Sequence, residues 1–238
     1  MILTKKRLID ASVTGSDECL SLIGIFQIVE NMLTEMMGMQ NIDGITLKNK
    51  YNAFWVFVKT KVHLVNKCAW NEQITLSSFI SEISFAKLYA DVEAKNSNGD
   101  VVFYSRTELC ALDISSPKIR RLTTVGFDKK IIAEKAPMNV TFNKVDTNNL
   151  EYIEQIKVRS TNIDFSHHTN NVEYVRFILN TYTVNELENK NMKEVTVIYT
   201  GQSYENDLLN VFKTNFEDKD IIEIKKDDKT VIKCEIVF

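Results

Sequence analysis

The feature that most constrains this chain is a pattern that occurs twice. Between residues 20 and 37, apolar side chains fall at Leu22, Ile25, Phe26, Val29, Leu33 and Met36. That spacing lines one face of a helix, and Gly38 follows as a stop signal. Four segments rich in β-branched and aromatic residues come next, at 54–65, 73–85, 86–94 and 101–114. Asn98-Gly99-Asp100 supplies a hairpin turn between the last two. A short strand at 6–12 precedes the helix. The same order then returns: a strand at 152–159, a polar loop, and an amphipathic helix through Val172, Val175, Ile178, Leu179 and Tyr182. Strands at 194–199, 207–216, 220–225 and 230–237 complete it. One order of elements used twice is an internal duplication.

A long helix with one apolar stripe buries it by lying across the concave side of the twisted antiparallel sheet that follows. Two such units predict an α+β chain, a double hotdog of two tandem long helices, each wrapped by an antiparallel sheet. Residues 1–139 form the first domain with its linker, and residues 140–238 the second. The linker at 123–149, with Gly126, Pro137 and a polar tail, reads as a connection over the surface.

The overall composition excludes several function classes. Of 238 residues, 44% are hydrophobic and 26% charged, and no apolar run is long enough to span a bilayer. The amino terminus lacks the apolar core and cleavage site of a secretory signal, so a cytoplasmic location without membrane insertion is expected. The net charge of −3 is well mixed, which argues against nucleic acid as a partner. Cys19, Cys68, Cys110 and Cys234 show no CxxC spacing, and His63, His167 and His168 lack the Cys or carboxylate spacing of a zinc site, so no metal is expected. Neither Ser203 nor Cys68 sits in a G-x-S-x-G turn, which favours a non-nucleophilic role for both.

Chemistry concentrates in 164–174, DFSHHTNNVEY, where the polar loop enters the second helix. Two readings stand. Asn and Asp cap free backbone N–H groups, so the segment is a helix start. The same start presents N–H donors and a partial positive charge to a polarised carbonyl, with a carboxylate at hand to activate water. The first cycle has GSDECLSL at this place and no histidine, which fits a role in substrate shape rather than chemistry.

The motif Asp164-Phe-Ser166-His-His168-Thr-Asn170-Asn171-Val-Glu-Tyr174 closely resembles the D-x-N-x-H-x-N-N-x-x-Y signature of the acyl-acyl-carrier-protein thioesterases, bacterial proteins similar to the plant enzymes. The segment FWVFVKTKVHLVNKCAWNEQI at 54–74 looks like the family's W-V-L and W-G-D-E-I stretches. VVFYSRTELCALDISSPKIRRL at 101–122 is similar to its closing strand and T-R-R-like tail. Gln27 and Gly38 are spaced as in the family's first helix, with Leu33 at its frequent histidine.

The resemblance implies hydrolysis of fatty acyl-acyl carrier protein (acyl-ACP) to free fatty acid and carrier thiol, with no metal or organic cofactor. It implies Asp164 as general base or nucleophile, and Ser166 and His168 as binding and polarising groups. Ser166 stands where asparagine is usual. Gln202, in Tyr199-Thr-Gly-Gln202-Ser203, stands where the family has a glutamate, and it can orient a water but cannot remove a proton. Helix-start N–H groups at Asn170 and Asn171 would hold the oxyanion, with Tyr174 in the binding set. Phe26, Val29 and Leu33 would line an acyl tunnel, although such a stripe also serves as core. An acidic carrier protein would dock on Lys118, Arg120 and Arg121 or on Lys129 and Lys130. A homodimer, an acyl-CoA substrate and a non-catalytic acyl-thioester binding role remain open.

Overall fold

The computed structural model describes residues 1–116, 118–135 and 140–238; Pro137 lies outside them. The chain forms two units, Met1–Thr141 and Phe142–Phe238.

In the first unit, strand β1 (Ile2–Leu8) leads to helix α1 (Leu22–Met39) and a second, short helix α2 (Gly44–Tyr51). Strands β2 (Ala53–Leu64), β3 (Gln73–Ile83), β4 (Lys87–Lys95) and β5 (Val101–Asp113) follow, with β6 (Ile119–Arg120) paired to β5. The sheet order is β1-β3-β4-β5-β2, all antiparallel. The second unit has β7 (Glu151–Lys157), α3 (Asn171–Leu179), α4 (Val184–Asn189), β8 (Glu194–Tyr199), β9 (Leu208–Asn215), β10 (Lys219–Lys226) and β11 (Lys229–Val237). Its order, β7-β9-β10-β11-β8, repeats the first, strand for strand. The double hotdog follows from that repetition.

Helix α1 lies against β1, β3 and β4; of its stripe Ile25, Phe26, Val29, Leu33 and Met36 are buried and Leu22 is half-buried, while Ile28 joins the buried face. Ser21 caps its start by accepting from Gly24 N at 3.0 Å. Gly24 is required here, because a Cβ would lie 2.5 Å from the Val13 carbonyl oxygen. Gly38 sits inside the helix, which runs one residue past it. The Asn98-Gly99 turn forms as expected, with Gly99 at φ 88° and the Asn96 side chain accepting from the amides of Asn98 and Asp100.

On β4, Leu88, Ala90, Val92 and Ala94 are buried on one face. On the other, Asp91 is buried opposite Arg106 of β5 and receives its Nε at 2.9 Å. This face is covered too. The segment expected to run over the surface buries Leu122, Val125, Phe127 and Ala133, and Ala133 N donates to Ile80 O at 2.9 Å. Its apolar residues anchor it.

Two elements differ from the sequence expectation. Strand β1 covers residues 2–8 rather than 6–12, because the Asp10 carboxylate accepts from Ser12 N at 2.9 Å and turns the chain there. Helix α3 ends at Leu179 rather than running through Tyr182. The Tyr182 hydroxyl donates to the fully buried Asp220 of β10 at 2.7 Å, and Thr183 with Glu186 opens α4 through a capping box. Lys190 adds an ion pair to Asp220 at 2.9 Å. Among the described residues no helix is long and apolar enough to cross a membrane.

Candidate active site

Between β7 and α3 the chain makes a loop closed on itself. Ile163 and Thr169 pair as an antiparallel bridge, and Asp164 N donates to His168 O at 3.0 Å. His167 N donates to Asp164 O, and His167 takes the left-handed conformation at φ 64°, reversing the chain. The His167 side chain is exposed.

This turn joins three alternate side chains. Asp164 Oδ1 accepts from Ser166 N at 2.8 Å and also from the Ser166 hydroxyl, whose Oγ lies 3.0 Å from His168 Nδ1. A carboxylate, a hydroxyl and an imidazole thus form one hydrogen-bonded chain. The His168 ring meets the Tyr204 ring edge-on, with centroids 5.3 Å apart. Burial lowers the His168 pKa below its usual value, against the raising effect of Asp164 and with a small lowering effect of His167. The ring is therefore neutral at pH 7.

A buried hydroxyl cluster supports the loop from behind. Thr169 N donates to Ser203 O at 2.9 Å, and Thr169 Oγ1 lies 2.7 Å from Ser203 Oγ. Tyr174 Oη lies 2.8 Å from Ser203 Oγ and accepts from Ser203 N at 2.9 Å. Ser203 and Tyr174 are both buried, so the Tyr174 hydroxyl serves the loop's support. Sequence reasoning missed Thr169 and Tyr204 and set Ser203 aside. The separation of 34 residues between Thr169 and Ser203 left no local signal.

The helix start is largely used internally. Asn170 N donates to Asn162 O, the Asn170 side chain caps Val172 N at 2.7 Å, and Glu173 N donates to Asn170 O. Asn171 N–H has no partner among the described residues. Gln202 is exposed, makes no side-chain hydrogen bond among the described residues and is not part of the Asp164–Ser166–His168 chain. Phe26, Val29 and Leu33 are buried on α1 of the other unit. Of the basic candidates, Arg120 is held by Asp113 at 2.9 Å and Arg121 lies over the Phe85 ring, while Lys118, Lys129 and Lys130 are exposed. No group of three or more His, Cys, Asp or Glu among the described residues could hold a metal.

The first unit contains an internal control. Gly15 N donates to Cys19 O at 2.8 Å, Leu20 N to Cys68 O at 2.8 Å and Ser21 N to Val13 O at 2.9 Å. These bonds match those of Asp164 with His168, Thr169 with Ser203 and Asn170 with Asn162. Glu18 is left-handed at φ 59°, like His167, and Thr14 pairs with Leu20 as Ile163 does with Thr169. Gly15, Asp17 and Cys19 occupy the places of Asp164, Ser166 and His168. Asp17 is neutralised by Lys67 at 2.7 Å, and burial raises the Cys19 thiol pKa. The loop therefore forms without the carboxylate, hydroxyl and imidazole of the second copy, and capping is done by Ser21 or Asn170. The helix-start reading does not account for the three polar side chains.

Residues 145–236 match the family model of the acyl-ACP thioesterase C-terminal domain. A search of curated protein sequences gave no match. Among solved structures, an acyl-ACP thioesterase from Bacteroides thetaiotaomicron superposes with a TM-score of 0.87 at 18% identity, over 100% of this chain and 97% of that one. A 12:0-ACP thioesterase from Umbellularia californica gives a TM-score of 0.87 at 13% identity, over 99% and 96%. The residues matched by that model, 145–236, carry the Asp164–Ser166–His168 chain, and the whole chain has the fold of these thioesterases.

Proposed function

We propose that this protein hydrolyses fatty acyl-ACP to free fatty acid and carrier thiol at the chain formed by Asp164, Ser166 and His168. The observation that carries the reading is the continuous link from carboxylate to imidazole on a loop whose fold does not need those side chains. A water facing the chain gives up a proton to it, and the hydroxide adds to the thioester carbonyl carbon. The oxyanion forms against the open Asn171 N–H at the positive end of α3. Collapse breaks the C–S bond, and the proton returns to the leaving thiolate.

Asn170 and Tyr174 support this site through the cap and the Ser203 cluster, and Gln202 acts at most on substrate in its exposed position. The first unit takes the acyl chain against α1, with Phe26, Val29 and Leu33 as its apolar contacts. The acidic carrier docks on Lys118, Arg121, Lys129 and Lys130, which the neutralised Arg120 leaves as the available cations. We place the enzyme in the cytoplasm, working without metal or organic cofactor, with a homodimer as its candidate assembly.

Thiol release from acyl-ACP and acyl-CoA of varied chain length tests the proposal. Faster release from the carrier substrates supports it. Release from acyl-CoA alone contradicts the carrier assignment, and no release from either contradicts the enzyme assignment.

A further inference from the structure

The hydrogen-bonded chain fixes where protons sit. Ser166 has one hydroxyl proton and two close neighbours, Asp164 Oδ1 and His168 Nδ1. If that proton pointed to the histidine, the hydroxyl oxygen would face a carboxylate oxygen at short range with no proton between them. Asp164 Oδ1 also accepts the Ser166 amide, so this oxygen already acts as an acceptor. The hydroxyl proton therefore lies on the Asp164 side. Ser166 Oγ is then an acceptor toward the ring, and His168 Nδ1 must be the donor.

We infer that Ser166 is a positioning residue that holds neutral His168 in its Nδ1–H tautomer, so that Nε2 is the atom that takes the proton from water. This deepens the proposed hydrolysis and rests on it for its catalytic consequence. The imidazolium and the neutral ring both donate from Nδ1 to Ser166, so proton uptake at Nε2 requires no rearrangement elsewhere in the chain. That is preorganisation of the kind that lowers a barrier. Asp164 acts through Ser166: its charge orients the hydroxyl, and the hydroxyl orients the ring. The logic is that of a carboxylate holding an imidazole in the correct tautomer, with one hydroxyl inserted between them.

The test reads the tautomer directly, by nitrogen NMR of ¹⁵N-histidine-labelled protein above pH 7, with the signal assigned by its loss in His168→Ala. The native protein is expected to carry the proton on Nδ1, and Ser166→Ala to move it toward Nε2. A native proton on Nε2 overturns the inference whether or not the protein hydrolyses thioesters. Absent turnover with the proton on Nδ1 overturns the function and leaves the tautomer standing. In the acyl-ACP assay, Ser166→Ala is expected to lower kcat by roughly 10- to 100-fold with little change in KM, a loss typical of groups that orient a reacting ligand. Ser166→Thr, which keeps the hydroxyl, should recover much of it. Removing the hydroxyl also withdraws the acceptor that stabilises the imidazolium, so the acidic limb of the rate profile should move to lower pH. An unmoved limb with an unchanged kcat would contradict the positioning role.

Discussion

Replacing Tyr174 with phenylalanine removes one oxygen atom from a site that water does not reach. That oxygen accepts from Ser203 N at 2.9 Å and meets Ser203 Oγ at 2.8 Å, and Ser203 is fully buried. Ser203 Oγ retains Thr169 Oγ1 as a partner, but Ser203 N–H is left with no acceptor. Leaving one buried donor unsatisfied costs about 1–3 kcal/mol. A local opening of the 200–207 segment should then become more frequent by roughly 5- to 150-fold, since about 1.4 kcal/mol is a factor of ten. Hydrogen exchange resolved at the amides of Ser203, Thr169 and the first turn of α3 reads this directly. Because Thr169 N donates to Ser203 O, loosening one strand of this support loosens the loop that carries His168, and kcat should fall several-fold. Trp55 and Trp70, the only two tryptophans, both lie in the first unit, so tryptophan fluorescence is the wrong probe for this change. Exchange at Ser203 and Thr169 unchanged from the native protein would refute the claim that the hydroxyl cluster supports the loop.

Three further outcomes follow from the same geometry. Arg106→Leu leaves the buried Asp91 carboxylate without its guanidinium partner and should cost about 3–5 kcal/mol in urea denaturation, whereas a loss below about 1 kcal/mol would show that Asp91 is compensated elsewhere. Burial holds the folded-state pKa of His168 below its ordinary value, so the unfolded chain binds a proton first as pH falls; His168 has no such effect above pH ~6.5, and stability drops from there toward the folded pKa. His168→Gln should flatten the stability profile in that window, and identical slopes would contradict the shift. Asp164→Asn preserves shape but presents an amide that can donate to Ser166, reversing the order of donors along the chain; a rate loss of roughly 100-fold, at least that of Ser166→Ala, is expected from the wrong imidazole tautomer. A loss below roughly 10-fold would show that the carboxylate charge is dispensable.

Much of this architecture was legible in the sequence because long apolar patterns carry it. The stripe from Leu22 to Met36 and the β-rich segments after it located α1 and the strands of both units to within a few residues. The duplication read from element order extends to sheet order and to individual loop bonds. Helices α2 and α4 were missed because they are short and weakly apolar, although Asp43, which caps Ile45 N and Thr46 N, and the Thr183–Glu186 capping box were visible signals. At the site, the i, i+2, i+4 spacing of Asp164, Ser166 and His168 was plain, but their linkage depends on the left-handed turn at His167. A histidine does not announce that conformation. Ser166 stands where the family usually has asparagine, yet its hydroxyl is the atom that connects the other two.

The central claim is that chemistry resides in the second copy of a loop whose first copy has the same backbone. Thiol release from acyl-ACP, measured for the native protein, Asp164→Ala and Asp17→Ala, tests it within one chain. Asp17 is paired with Lys67 and occupies the Ser166 place in the first copy. Asp164→Ala should lose roughly 10²- to 10⁴-fold in kcat, the range of general acid-base catalysis, while Asp17→Ala stays within a few-fold of native. Equal losses in the two variants, or a native rate in Asp164→Ala, would contradict the account.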